Sequence, residues 1–567
     1  MEEYLWEITE TSDQRIREMI EESTVTRPIA ATLVQRGIEP ENVQKFLFPA
    51  LRNMVDPFLL PGAETAAARL WEAIHKGERI LIFGDYDTDG ITSTALTSWV
   101  LRKNGANVKT VLPHRIDDGY GLTAAAVSRE GPYGCDVMLT VDCGVTSYEA
   151  ADAARRLGVD LIVTDHHMPG KEMVQAHAVV DPKLPGSPKE VQTLAGVGVA
   201  FKVCHAFIKY GRQNGLCQDE TDLREGMDLV ALGTVADIVP LLDENRILVK
   251  FGLEELARQQ RPGVHALCEI SSVRDGVQTS DITYRLAPRL NAAGRMGDPN
   301  DSLKLLEATS MVDAFTQARL LDERNRERQS IEEEVVRNAE EQINEIYNLE
   351  QDRTIVVRND EWHQGVVGIV ASRLTRNYHR PSVVLSRDPS GQLTGSARSI
   401  RRLNLVDILD DCKETLTRYG GHAMAAGLSL KEECLDAFRE QFEAAVRTVL
   451  SVNSMKPSLE VSSEVSFAEL TDEFFTELEM LAPFGHGNPE PIFVARDVYP
   501  ERITAAGKNH SRGYLRDASG ARIAFIAFRR PPDTLPPAPW DLAYTPHINH
   551  FAGNATPQAR IVDIREC

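Results

Sequence analysis

The stretch "ILIFGDYDTDGITS", Ile80 to Ser93, sets Asp85, Asp87 and Asp89 two residues apart and follows them with Gly90. Three like charges at that spacing repel unless something positive sits among them. An EF-hand loop also opens D-x-[DN]-x-[DN]-G, and counting from Asp85 puts Gly90 at its sixth position. The twelfth position, however, is Leu96 where a bidentate Glu is required. The preceding run "RILIF" is short, apolar and β-branched, so it reads as a strand where an EF-hand needs a helix. A cation at these acids is held in another frame.

Working outward, residues from about 75 to 240 alternate apolar runs with helix-like segments: "RILIFGD" then "ITSTALTSWVLRKNG", "NVKTVLP", "DVMLTVD" then "TSYEAADAARRLG", "DLIVTD", and "HAVVD". That alternation predicts βαβ units and a parallel sheet covered on both faces. Ligands of such sheets gather beyond the carboxyl ends of the strands. The runs end in Asp85, Asp87 and Asp89; in His114 and Arg115; in Asp142; and in Asp165, His166 and His167. Asp237, in "VALGTVADIVPL", is a further carboxylate in a mostly apolar setting, where an unpaired charge is costly. One acid after a strand is an ordinary helix cap. Several such ends bearing metal ligands exceed what capping explains.

The chain has 567 residues, 42% hydrophobic and 26% charged, which suits a protein of two to four domains. It contains no apolar run long enough to span a bilayer, and its acidic start "MEEYLWEITETSDQ" lacks a secretory pattern. Eight cysteines without a C-x-x-C pair argue against a zinc ribbon and for a reducing compartment, so a cytoplasmic location is expected. The net charge of −22 discourages nucleic acid binding on average. Locally the sign reverses: Arg353 to Arg402 holds nine arginines against Asp360, Glu361 and Asp388.

After about 310, "MVDAFTQARLLDERNRERQSIEEEVVRNAEEQINEI" predicts some ten turns of charged helix, read as an exposed connector between lobes. A second α/β pattern follows, with "RTIVVR" and "PSVVLSR" as strands and "GVVGIVASRLTRNY" as a helix. "SVNSMKPS", near 451 to 458, reads as a linker. The remainder is rich in Gly, Pro and short β-like runs and suits a small barrel whose removal would leave a metal site intact. The fold class is therefore α/β, a parallel-sheet domain joined by a long helix to a second α/β domain, plus a small C-terminal β-barrel.

Carboxylates with imidazole and no thiolate cluster suit Mn²⁺ or Mg²⁺ better than Zn²⁺. More ligands converge than one ion needs, so two ions with a shared carboxylate is the economical arrangement. Two metals about 3.5–4 Å apart clamp the attacking and leaving oxygens of a phosphoryl displacement. Hydrolysis of a phosphoester is the chemistry expected.

"DYDTDG" (85–90), "VDCG" (141–144), "TDHH" (164–167) and "GTVADIVPL" (233–241) resemble, in that order, the four motifs of the DHH phosphoesterase superfamily. "RLAPRLNAAGR" (285–295), "WHQGVVGIVASR" (362–373), "GSARS" (395–399), "GGHAMAAG" (420–427) and "PFGHGNPEP" (483–491) are similar to its RecJ branch, single-strand-specific 5′→3′ DNA exonucleases of repair and recombination. The resemblance implies a DHH domain at 51–270 after an N-terminal segment at 1–50, a connecting helical region at 271–350, a DHH-associated α/β domain at 351–452 and an OB-like domain at 453–567. It implies Asp87, Asp89, Asp142, His166 and Asp237 as metal ligands, Asp142 as the bridge, and Asp85 as a ligand or a support for one. His167 would contact the scissile phosphate or assist proton transfer, and Asp165 would orient an imidazole.

In the same reading Gly420, Gly421 and His422 face the phosphodiester backbone, although a tight turn explains that glycine-rich run as well. Arg398 and Ser396, with Arg115, would hold a terminal 5′-phosphate, which suits the arginine fork. Arg295 contacts the entering strand or makes a surface ion pair. The implied partners are single-stranded DNA, a single-stranded-DNA-binding protein and a helicase, with no membrane. Competing readings are a DHH-type phosphodiesterase on oligoribonucleotides or cyclic dinucleotides and a non-catalytic scaffold of the same fold. "DTDG" also resembles the opening of haloacid-dehalogenase-type phosphatases, but Ile91 and the paired histidines disfavour that chemistry.

Overall fold

The computed structural model describes residues 4–8, 12–114, 121–131, 135–217, 221–274, 276–451, 455–551 and 554–567. The chain forms two compact units, one of Glu323–Leu459 with the first six residues, the other of Glu7–Asp322 with Glu460–Cys567.

The second of these contains a five-stranded, all-parallel sheet in the order Asn107–Val111, Arg79–Gly84, Val137–Val141, Asp160–Thr164, Ala178–Val180. Alternate residues of each strand enter opposite cores. Ile80, Ile82, Val137, Leu139 and Ile162 pack under the helices Ala63–Lys76, Thr88–Lys103, Gly196–Gln213 and Met227–Ala236. Leu81, Phe83, Met138, Leu161 and Val163 pack under Ala124–Glu130 and Tyr148–Leu157. The period of two in the sequence is thus a two-faced burial, each side chain contributing about 1.5–3 kcal/mol. Strand order reverses between Arg79–Gly84 and Val137–Val141, which makes the crevice at their carboxyl ends the natural ligand site.

The same unit carries a closed five-stranded barrel, running Phe493–Ala505, Ser511–Arg516, Arg522–Ala527, Asn554–Glu566 and Trp540–Phe551 back to the first strand. Its core is not its own. Ile16, Met19, Ile29, Leu33, Val43, Phe46 and Leu47, from three N-terminal helices, share one apolar cluster with Phe474, Phe493, Phe525, Trp540 and Tyr544.

The other unit has a five-stranded mixed sheet, ordered Arg418–His422, Ala425–Leu430, Leu393–Arg398, Ser382–Arg387, Ile355–Arg358, with only the last pair parallel. The glycine-rich run is a hairpin here: the edge strand Arg418–His422 turns tightly at Ala423 and Met424 and pairs with Ala425–Leu430. Residues 452–454 of the expected linker lie outside the described residues.

The long helix runs Met311–Ile346, as its sequence predicts, but it is not exposed on every face. Ala314, Ala318 and Leu321 are buried in the parallel-sheet core, and Val335, Val336, Ala339 and Ile343 in a core of the mixed-sheet unit. Both sets follow the three-and-four spacing of a buried stripe, which the density of charge on the other faces conceals. Among the described residues no helix is long and apolar enough to cross a membrane.

Candidate metal centre

Register explains why the acids meet. Gly84 pairs with Val141, Val141 with Thr164 and Thr164 with Val180, so the next residues, Asp85, Asp142, Asp165 and Asp181, line up one position beyond four adjacent strands. Asp87 caps the Thr88–Lys103 helix by accepting from the N–H groups of Asp89 and Gly90. Asp89 in turn accepts from the Gly196 and Val197 N–H groups at 2.6 and 2.8 Å, fixing the start of the next helix over the strand ends. Asp237 terminates the Met227–Ala236 helix.

Among the described residues three sets form, the ligand atoms of each lying within 4.8 Å of one another: Asp85, Asp87 and Asp142; Asp142, His166 and His167; and Asp89, His166 and Asp237. His166 Nε2 is 3.2 Å from Asp142 Oδ1, 3.6 Å from Asp237 Oδ2 and 4.0 Å from Asp89 Oδ2. Asp142 therefore joins two sets and His166 joins two. Asp142 adopts φ 61°, a left-handed backbone that costs about 1–3 kcal/mol and persists where the surroundings impose it. A Cβ on Gly196 would come within 2.5 Å of Asp142 Oδ1, so the helix start reaches the carboxylate only as glycine.

The electrostatics describe a site built for a cation. Burial, then the charge of Asp87, pushes Asp89 up to about 7. Burial with Asp89 and Asp87 beside it pushes Asp237 up to about 9. Burial, followed by the charges of Asp89, Asp87, Asp85 and Asp237, raises Asp142 well above the carboxylate range. His166 is held down to about 3 by burial and by His167, so its imidazole is neutral and free to ligate. Among the described residues Asp142 Oδ1 and His166 Nε2 find no hydrogen-bond partner, although both are buried. Orphaned hard and borderline donors converging in a buried pocket fit divalent ions, which replace the missing positive charge.

The second histidine is held differently. His167 Nδ1 lies 2.7 Å from Asp165 Oδ1, whose carboxylate also accepts from the His166, His167 and Val145 N–H groups. Burial works to raise Asp165, but the His167 hydrogen bond and charge outweigh it and bring Asp165 below its ordinary value. Burial works against the His167 cation, and the Asp165 hydrogen bond and charge outweigh that too and raise His167. The contact favours the ionised carboxylate of Asp165 and the protonated form of His167.

Sequence reasoning missed three neighbours. Asp181 stands in the same register row as Asp85, Asp142 and Asp165, and burial pushes it up to about 7. Lys183 donates from its backbone to Asp181 Oδ1 at 2.7 Å and from its ammonium to the His166 carbonyl. Asn291 Oδ1 accepts from Thr88 N and Oγ1 at 2.9 and 3.0 Å, tying the "RLNAAGR" helix, Ala287–Met296, to the aspartate loop. The signal for the first two was the strand end "HAVVD" followed by "PK".

The other expected residues are placed as follows. Arg295 lies in the Ala287–Met296 helix of the unit that holds the acids. Ser396, Arg398, Gly420, Gly421 and His422 all lie on the mixed sheet of the other unit, where Ser396 pairs with Gly427, Gly427 with Gly420, Arg398 with Ala425 and Ala425 with His422. Those two cross-strand rows put Ser396, Arg398, Gly420 and His422 on one face. Arg398 donates to Ser372 Oγ and to the Ala397 carbonyl. Arg115 lies outside the described residues.

Three family descriptions match the chain: the DHH family, N-terminal domain, at 79–234; the DHHA1 domain at 351–448; and the RecJ OB domain at 461–563. Single-stranded-DNA-specific exonuclease RecJ of Dickeya dadantii is 38% identical over 93% of this chain and 94% of that protein. Its counterpart in Escherichia coli is 36% identical over 91% and 92%. For that of Bacillus subtilis the identity is 37% over 93% of this chain, which spans 66% of that longer protein. The crystal structure of RecJ in complex with Mn²⁺ from Thermus thermophilus superposes with a TM-score of 0.82 at 30% identity, covering 99% of this chain and 79% of that one. The corresponding Mg²⁺ complex gives 0.78 at 29% identity, covering 99% and 78%.

Proposed function

The chain belongs to the RecJ family of single-stranded-DNA-specific exonucleases and is a nuclease of single-stranded DNA dependent on Mn²⁺ or Mg²⁺; from that premise we propose that it digests from the 5′ end and releases mononucleotides, in DNA repair and recombination. The observation that supports the chemistry best is the sharing of Asp142 between the Asp85–Asp87 set and the set that contains His166.

Asp85 and Asp87 would hold one ion, Asp89, His166 and Asp237 the other, with Asp142 between them. When bound, such a pair clamps the attacking and leaving oxygens of the phosphodiester and acidifies a water nucleophile. The protein's own contribution is placement and protonation. Asp89 holds the helix start against the site, and Asp165 engages His167 Nδ1 and favours its protonated form, so that Nε2 would be the atom serving the departing 3′ oxygen. Lys183 fixes the His166 backbone.

Arg398 and Ser396 would take the terminal 5′-phosphate, Gly420, Gly421 and His422 internal phosphates, and Arg295 the entering strand. On the barrel, Arg512, Tyr514 and Arg516 alternate outward along one strand, and Tyr499 and Phe528 are also exposed. Aromatic rings interleaved with arginines suit stacked bases and a phosphate track. An enzyme confined to single strands needs a helicase to expose them and meets them covered by a single-stranded-DNA-binding protein. We assign both as partners and the cytoplasm as its location.

The test is digestion of 5′-labelled and 3′-labelled strands, as DNA and as RNA, with each metal. Early release of labelled mononucleotide from 5′-labelled DNA is expected. Early release from the 3′ label would overturn the direction.

A further inference from the structure

The motif "PFGHGNPEP", residues 483–491, packs against the loop that follows Asp237. That loop is strained. Ile238 adopts φ 61°, where a β-branched side chain is a marked outlier, and such a conformation lasts only when its surroundings over-determine it.

The surroundings come largely from the C-terminal domain. Leu241 N–H donates to the His486 carbonyl at 2.8 Å. Gly487, itself at φ 72°, lies so close that a Cβ there would be 2.9 Å from Pro240 Cβ and 3.2 Å from its Cα. From the opposite side Asn245 Nδ2 donates to the Pro240 carbonyl at 3.0 Å and to the Thr193 carbonyl at 2.6 Å. Thr193 lies three residues before Gly196, whose N–H holds Asp89.

The motif is anchored in its turn. Buried Asn488 donates to the Leu481 and Pro483 carbonyls at 2.9 and 2.8 Å and accepts from Arg36. Buried Arg246 lies over the Phe46 ring and donates to the carbonyls of Phe46, Met480 and Leu481. Thr279 Oγ1 donates to the Phe484 carbonyl at 2.6 Å.

We propose that the 483–491 loop is a positioning element for Asp237: it holds the strained Ile238–Leu241 segment in place and thereby sets the affinity of the metal centre. The C-terminal domain then acts on metal as well as on strand. This rests on the reading of Asp237 as a metal ligand.

The test uses the full chain and titrates Mn²⁺, following free ion by electron paramagnetic resonance. Gly487→Ala introduces a methyl group at Pro240 and at a positive φ. It should weaken one of the two Mn²⁺ sites about tenfold, as loss of a ligand's support does. Affinity for single-stranded DNA without metal should hold, and excess Mn²⁺ should restore turnover. Thr279→Val, nearly isosteric and milder, should weaken the same site about threefold; it decides alone if Gly487→Ala does not fold. An unchanged Mn²⁺ isotherm in the folded variants overturns the proposal. Asp237→Asn separates the two claims. If it leaves both Mn²⁺ sites intact, the ligand reading itself fails; if it loses a site while the loop variants do not, only the positioning role fails.

Discussion

At Asp142 the backbone enters the left-handed region at φ 61°, a conformation asparagine tolerates better than most side chains. Asp142→Asn therefore preserves shape and backbone while removing the charge shared between two sets of ligands. Turnover should fall about a thousandfold or more, the several kcal/mol that a metal-centred clamp supplies. Measured kcat within tenfold of the parent would exclude Asp142 as the bridge.

The raised acids also make stability depend on pH with a definite sign. Asp89 at about 7 and Asp237 at about 9 stand above the ordinary unfolded value, so without metal the folded protein binds more protons than the unfolded chain. Their contribution is complete below the unfolded pKa and is lost as pH rises through about 7 and then about 9. Divalent ions bind the deprotonated form, so the rise in melting temperature on adding Mn²⁺ should be larger above pH 8 than at pH 6. Equal shifts at the two pH values would contradict this origin. On the other unit, Arg398→Ala should slow cleavage of 5′-phosphorylated strands about ten- to a hundredfold, the worth of one charge-assisted contact, and leave 5′-hydroxyl strands unaffected. The same factor on both substrates would make Arg398 a general backbone contact.

Between elements, the Ala287–Met296 helix is tied to the aspartate loop through Asn291, which accepts from both the backbone and the hydroxyl of Thr88. Asn291→Ala leaves those buried donors without that acceptor and should cost about 1–3 kcal/mol in a denaturant titration. A cost near zero would mean the contact is incidental. This tie also marks where sequence reasoning stops. The alternation of strands and helices, and an acid after four of the five strands, follow from local periodicity and are readable directly. That Asp85, Asp142, Asp165 and Asp181 share one row depends on register between strands far apart in the chain, and Asp181 was passed over for that reason. The buried stripe of the long helix is hidden for a related reason. Its charge count is visible, whereas the stripe of Ala314, Ala318 and Leu321 matters only once a core is there to receive it.

At the scale of the whole chain, the barrel reads as a separable strand-binding module, which its packing contradicts. Ile16, Met19, Ile29, Leu33, Val43, Phe46 and Leu47 bury themselves in the same cluster as Phe474, Phe493, Phe525 and Trp540. Each such side chain contributes about 1.5–3 kcal/mol on burial. Against a total stability of about 5–15 kcal/mol, helices of 11, 9 and 5 residues cannot keep their structure when that partner is removed. Deletion after Leu459 should therefore release residues 12–47 as well as remove the barrel. Arg246 would lose its Met480 and Leu481 acceptors, and the loop after Asp237 would lose the His486 carbonyl. Hydrogen exchange should show the amides of Arg27–Gln35 unprotected in the shortened chain, and Mn²⁺ titration should show weaker binding, although every candidate ligand is still present. Full protection of those amides together with a parental Mn²⁺ isotherm would restore the barrel to an independent module, concerned with the strand alone.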